Sequence, residues 1–247
     1  VIVSSVEEGW EIVFQRSHGL LAGQIASRFR DEFRPELWTE TLQAILSHDD
    51  HKQPFDGRHY VTDLGAPKDF TLVSMASEDR VEETRRRILL SHRNHRWCGL
   101  LISRHAEQLY GGHEGITSEM QRLLEEERDR RRLVLRQLSK KKAQLELAYQ
   151  LLRWCDRCSL ILVRKQVPAM QRRIEVTHSL QGERHDLWRR EDESLAVEPW
   201  PFEPDEFTVQ SEYRVATRLQ FEDDADLINH LDEAEVCARE WVFRRKN

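Results

Sequence analysis

Apolar and polar residues alternate near both ends of the chain and recur at three- and four-residue spacing through its middle. Val1 and Val3 alternate with polar neighbours, Glu7-Glu8-Gly9 reads as a turn, and Trp10, Ile12 and Phe14 alternate again. This pattern predicts a hairpin over residues 1–15. Ser17 then reads as the N-cap of a helix over 18–31, with Leu21, Ile25 and Phe29 on one face. Pro35 suits the first turn of a second helix over 36–49, whose apolar face is marked by Trp38, Leu42 and Ile45. Residues 50–77 show no period. A connection of that length inside a compact domain is uncommon and often functional, so it is expected to form a wall or lid.

Helical spacing returns over 78–93 and 95–110. In the latter, Trp97, Leu101, His105 and Leu109 recur every four residues, and Gly111-Gly112 closes the helix. A charged helix follows over 116–139, where Glu125, Glu126 and Glu127 precede Arg128, Arg130, Arg131 and Arg132. The expectation there is a solvated face supported by i,i+4 ion pairs. The helix over 142–165 carries a stripe of Leu145, Ala148, Leu152, Ser159 and Val163. After Pro168 the period falls to two, over 173–178, 185–190, 194–198 and 207–221, punctuated by Pro199, Pro201 and Pro204. This predicts a small antiparallel sheet, which the N-terminal hairpin joins. A helix over 224–234 and a last strand over 240–243 complete the chain. The expected fold is α+β and mostly α: one domain over 1–247, with a helical core at 16–166 and a β-rich appendage from 1–15 and 167–247.

Composition narrows the class. Of 247 residues, 33% are charged and 39% hydrophobic, which suits a soluble globular protein. The net charge of −6 gives no global attraction to nucleic acid, and no basic-aromatic interleaving marks a single-strand binder. No apolar run is long enough to span a membrane, and the first residues do not read as a signal peptide. Cys98, Cys155, Cys158 and Cys237 do not form a disulfide framework, which fits a cytoplasmic protein. Cys155-Asp-Arg-Cys158 lacks the second pair that zinc requires and the strand that a redox motif follows, so it reads as two packed, reduced thiols.

Candidate chemistry comes from polar residues that break the apolar stripes. Asp49 falls four residues after Ile45, with His48 beside it. His105 lies on the apolar face of its helix, and Asp156 falls four residues after Leu152. His18 sits in a first turn, close to Leu21 and Ala22. Burying such groups without partners costs kcal/mol each, so each calls for a partner. Singly, each has a plain structural reading: a satisfied core histidine, a cap, or an aspartate tied to Arg157 or a backbone N–H. Taken together, His18, His48, Asp49, His105 and Asp156 suit a divalent transition metal, Mn, Fe, Co or Zn, as one or two ions. Asp49, His105 and His51 are the candidate catalytic residues. His92 or His95 could add a second metal, although an exposed pair is the plainer reading. Arg104 and Lys52 are nearby cations that could touch phosphate, although both suit a solvated surface. His59, His113, His178, His185 and His230 read as surface.

The order of His18, His48-Asp49 and Asp156 on successive helices resembles the HD-domain superfamily of metal-dependent phosphohydrolases. Ser17-His-Gly-Leu-Leu-Ala-Gly-Gln-Ile-Ala26, Ala44-Ile-Leu-Ser-His-Asp-Asp50, Gly65-Ala-Pro-Lys-Asp-Phe70, Leu100-Leu-Ile-Ser-Arg-His-Ala106 and Leu152-Arg-Trp-Cys-Asp-Arg-Cys-Ser-Leu160 resemble a bacterial family of unknown function, DUF3891. That family's recurring polar residues fall at the same five positions. His51-Lys52 and Asn94-His95 depart from its pattern. The superfamily resemblance implies an HD-like helical bundle and metal-dependent hydrolysis of a phosphoester. Alternatives are a di-iron oxygenase of HD-like type, using His105 with His92 or His95, and a non-catalytic ligand-binding module. The expected partner is a small, phosphorylated substrate, with a homodimer as one option.

Overall fold

The computed structural model describes residues 1–50, 55, 57–72, 77–112 and 115–245. The hairpin forms as expected, from β1 (Ile2–Val6) and β2 (Gly9–Val13) around Glu7-Glu8. The strand then runs straight into α1 (Gln15–Ala26), so Phe14 holds the N-cap position with no side-chain hydrogen bond, not Ser17. The helix stops short of Phe29, whose ring is nevertheless fully buried. Four helices follow: α2 (Trp38–Ser47), α3 (Ser77–Asn94), α4 (Arg96–Tyr110) and α5 (Ser118–Gln137). The longest, α6 (Lys142–Val163), buries Leu145, Ala148, Leu152, Ser159 and Val163, the stripe read from its spacing.

The arginines of α5 do not simply pair along their own helix. Arg128 and Arg131 both reach across to Glu107 on α4, and Arg131 also donates to the Ser103 hydroxyl. No described helix is long and apolar enough to cross a membrane.

The sheet corrects the expected architecture. The remaining strands are β3 (Ile174–Leu180), β4 (Glu183–Arg189), β5 (Leu195–Glu198), β6 (Glu206–Ala216) and β7 (Val236–Arg244), with α7 (Asp224–Glu233) before the last. They join the hairpin in one seven-stranded mixed sheet, ordered β1-β2-β6-β7-β5-β4-β3. This is a major part of the molecule rather than a small antiparallel appendage to an HD-like bundle. The reason lies in β7. It spans nine residues and pairs antiparallel with β6 from Glu206↔Arg244 to Arg214↔Val236. Its other edge meets β5 in parallel at Leu195↔Phe243, which fuses the β3-β4-β5 meander to the hairpin half. On the other side of β6, Gly9, at φ +142°, lets β2 pair closely there, because a side chain at Gly9 would overlap the Ala216 carbonyl.

Helices and sheet share one buried cluster. Leu21 and Ile25 from α1, Trp97 and Leu101 from α4, and Leu152 and Trp154 from α6 pack with Leu187, Phe207 and Phe243 from the sheet. At its centre the Phe202 ring meets Phe29 at 5.0 Å, Phe207 at 4.8 Å and Trp154 at 5.7 Å between centroids. The Gln24 side chain clamps β6 by donating to the Gln210 carbonyl at 2.9 Å and accepting from its N–H at 3.0 Å. Cys155 and Cys158 are free, fully buried thiols, and burial pushes both pKa values up. His185 is buried as well, edge-on to Trp154, against the expectation of a surface residue.

Candidate metal centre

Three helices bring the central residues together. His18 lies in the first turn of α1, His48 caps the C-terminus of α2, and Asp156 lies on α6. Asp49 follows in the turn after α2, rather than on the helix face that spacing predicted. The approach of α1 to α2 is close because Gly19 and Gly23 face Leu46, where a Cβ would overlap its carbonyl oxygen or its side chain.

The two imidazoles meet edge-on, with Nε2 to Nε2 at 3.1 Å. Asp156 Oδ1 stands 3.3 Å from each Nε2, and Asp49 Oδ2 stands 3.9 Å from each. His18, His48 and Asp49 each offer a ligand atom within 4.8 Å of the others. The far side of each ring fixes its tautomer. His48 Nδ1–H donates to the Ile45 carbonyl at 2.8 Å. Ser159 donates its hydroxyl proton to the Asp156 carbonyl, so its oxygen accepts from His18 Nδ1–H at 2.8 Å. Both Nδ1 protons are thereby used, and both Nε2 lone pairs are directed at the same point as a carboxylate oxygen. Donors bound to one ion at about 2.0–2.2 Å stand about 3.0–3.5 Å apart. The imidazole and Asp156 separations fall in that range, and Asp49, at 3.9 Å, stands just outside it. Backbone or side-chain acceptors on the outer nitrogen are also what orients imidazole ligands in metal sites. The residues present therefore fit a divalent ion.

The electrostatics agree. Burial alone would depress the His48 imidazolium, but the carboxylates of Asp49 and Asp156 outweigh it and push its pKa up to about 9. Asp156 shows the reverse balance: burial would raise it, and His48 and His18 hold it well below the carboxylate range. In the absence of an ion, a proton takes the place where the lone pairs converge.

His105 lies edge-on to His48, with centroids 5.7 Å apart, outside the closest group. It is 4% exposed, its Nδ1 has no hydrogen-bond partner, and burial lowers its pKa to about 4. His92 and His95 stand elsewhere. The His92 ring packs on Gly99, and His95 Nδ1 accepts the Trp97 N–H at 3.2 Å as the cap of α4. Arg104 is engaged on α6, with Nε 3.1 Å from Glu146 Oε1 and its guanidinium over the Tyr149 ring. His51 and Lys52 lie outside the described residues.

Above the cluster is a cavity of about 390 Å³. Asp49, Asp156 and His105 form part of its lining, with Gln15, Arg80 and Arg87 among the others. His59, Tyr60 and Phe70, from the long connection, also line it. Asp224 at the start of α7 holds that wall, accepting from the backbone N–H of His59 and Tyr60 at 2.8 Å each. Gln15 and Arg87 were not singled out from the sequence. The available signal was the run Thr84, Arg87, Ile88 and Ser91, which places an arginine on the buried face of α3.

The class is thus an α+β protein with a buried histidine–aspartate cluster at the floor of a small cavity. Residues 1–218 match the family model described as "Protein of unknown function (DUF3891)", and the chain belongs to this family. No curated protein and no solved structure matches it. The further resemblance to HD-domain phosphohydrolases finds no support among these comparisons.

Proposed function

We propose that this protein is a metal-dependent hydrolase of a small phosphoester. The reading rests on the convergence of His18 Nε2, His48 Nε2 and Asp156 Oδ1 on one point, with both outer ring protons already donated. A bound divalent ion would supply Lewis acidity toward a phosphoryl oxygen and make a water molecule more acidic. His18, His48 and Asp156 would hold it, with Asp49 closing the fourth side.

The cavity supplies the rest. Asp49, Glu83 and Asp156 bring three carboxylates to its lining, and Arg80 and Arg87 bring two guanidinium groups. With a divalent ion the balance is one net positive charge; without it, with His48 protonated at the cavity floor, the balance is near neutral. The loaded cavity therefore attracts an anion more strongly than the metal-free one. Burial keeps His105 neutral, so it acts there as a hydrogen-bonding group rather than a charge. In the net reaction a water oxygen bonds to phosphorus, the ester P–O bond breaks, and the departing alcohol takes up a proton.

The test is hydrolysis of a panel of small phosphate monoesters by protein stripped with chelator and then reloaded with Mn, Fe, Co or Zn. The expected result is phosphate release that requires added metal and falls by at least about a hundredfold in His48→Ala, since the ligand set is broken. Release that persists after stripping, or is equal in the variant, would contradict the proposal.

A further inference from the structure

We infer that Arg87 forms an oxyanion subsite beside the metal position, and that its ligand is the terminal phosphoryl group of a small monoester. The inference rests on the hydrolase reading above and names the substrate class for that site. Arg87 is 4% exposed on α3 and lines the cavity. Its Nη1 lies 3.8 Å from Asp49 Oδ1, next to the metal position. Its Nε and Nη2 have no hydrogen-bond partner and no solvent contact. Those two N–H groups lie on one edge of the guanidinium and match two oxygens of a single phosphate or carboxylate. Among the described residues, no other arginine has both atoms of that edge buried and unpaired. A buried guanidinium with an empty edge is costly, and an oxyanion relieves that cost.

Two further orphans line the same cavity. Both the amide nitrogen and the amide oxygen of Gln15, 6% exposed, lack partners, and so does His105 Nδ1. Together these groups outline a polar recess completed by a ligand rather than by the protein.

The count of oxygens selects the ligand. A monoester presents three non-bridging oxygens: two for the Arg87 edge and one for the ion. A diester presents only two and would leave one partner unmatched. A carboxylate would satisfy either the edge or the ion. A cavity of about 390 Å³ is at the small end of ligand sites, which fits a phosphate on a small organic group and not a polymer strand.

The experiment is calorimetric titration in two stages. Manganese is titrated first, into wild-type and Arg87→Met protein, and inorganic phosphate or dimethyl phosphate second. The expected results are equal manganese stoichiometry, phosphate binding weakened about tenfold or more in Arg87→Met, and only partial recovery in Arg87→Lys. Dimethyl phosphate should bind wild type at least about tenfold more weakly than phosphate does. Phosphate binding unchanged in Arg87→Met, or dimethyl phosphate binding as tightly as phosphate, would overturn the inference. So would manganese binding lost together with phosphate, since Arg87 would then act only by holding Asp49. If wild type takes up no manganese, the hydrolase reading fails separately, and the Arg87 dependence of phosphate binding is decided on the metal-free protein. Should Arg87→Met fail to fold, Gln15→Leu serves as the second variant, and unchanged phosphate affinity there counts against the subsite.

Discussion

At the scale of single residues, His48 and His105 couple the cluster to pH in opposite directions. In metal-free protein the folded pKa of His48 is raised from 6.5 to about 9. Its contribution to stability is therefore complete below pH 6.5 and is lost as the pH rises through 9. His105 is lowered from 6.5 to about 4. The unfolded state binds that proton more readily, so His105 withdraws stability as the pH falls from 6.5 toward 4. Thermal unfolding in chelator should accordingly show its midpoint falling between pH 6.5 and 9, and His48→Gln should flatten that alkaline limb. The same alkaline slope in the variant would contradict the assignment. If the proposed metal binds, the expected alkaline trend is the reverse, because its ligands must be deprotonated. The grouping of His18, His48 and Asp156 was legible in the sequence: Asp156 interrupts an apolar stripe, His48 lies beside Asp49 at the end of another, and His18 sits in a first turn close to Leu21 and Ala22. Arg87 and Gln15 were not, because charged and amide residues on a helix usually face water and their burial depends on neighbours far away in the chain.

At the scale of elements, the site depends on how closely α1 approaches α2. Gly19 follows His18, and a Cβ there would overlap the carbonyl of Leu46, two residues before His48. Gly19→Ala should push the helices apart and separate the two imidazoles. We expect a loss of about 1–3 kcal/mol in urea unfolding and a parallel fall in metal affinity. A variant with reduced stability but full metal affinity would show that His18 does not depend on this contact. The helices were largely readable, since each has a long 3.6-residue period. Their ends were less so: strand β2 runs into α1 without the capping serine, and α2 stops before His48, which turns back to bond Ile45. Strand β7 was read as four residues because only its last part alternates with large apolar side chains. Its pairing with β6 along nine residues, and with β5 in parallel, is set by chain crossover and leaves no local period.

At the scale of the whole molecule, the sheet supports the helices that carry the histidine–aspartate cluster. Trp154, two residues before Asp156, is buried against Phe29 and Phe202, and Phe202 in turn packs on Phe207 and Phe243 of β6 and β7. Phe202→Ala should cost about 3–5 kcal/mol. Helix content by circular dichroism and tryptophan fluorescence should still be lost in one coincident transition. Two separated transitions would show that helices and sheet unfold as independent units. The sequence placed the hairpin in the same sheet as the C-terminal strands, which the structure bears out. It did not reveal how much of the core the sheet makes, because the aromatic residues that join the layers are spread over a helix, strand ends and the segments between elements, with no shared period.

The most direct test of the account is the metal content of the purified protein, measured by elemental analysis beside His48→Ala and Asp156→Asn. One or two equivalents of a transition metal in the wild type, lost in both variants while their folds persist, is the predicted result. A wild type that takes up no ion after incubation with Mn, Fe, Co or Zn would contradict the metal centre. The cluster would then be a buried hydrogen-bonded network around a shared proton.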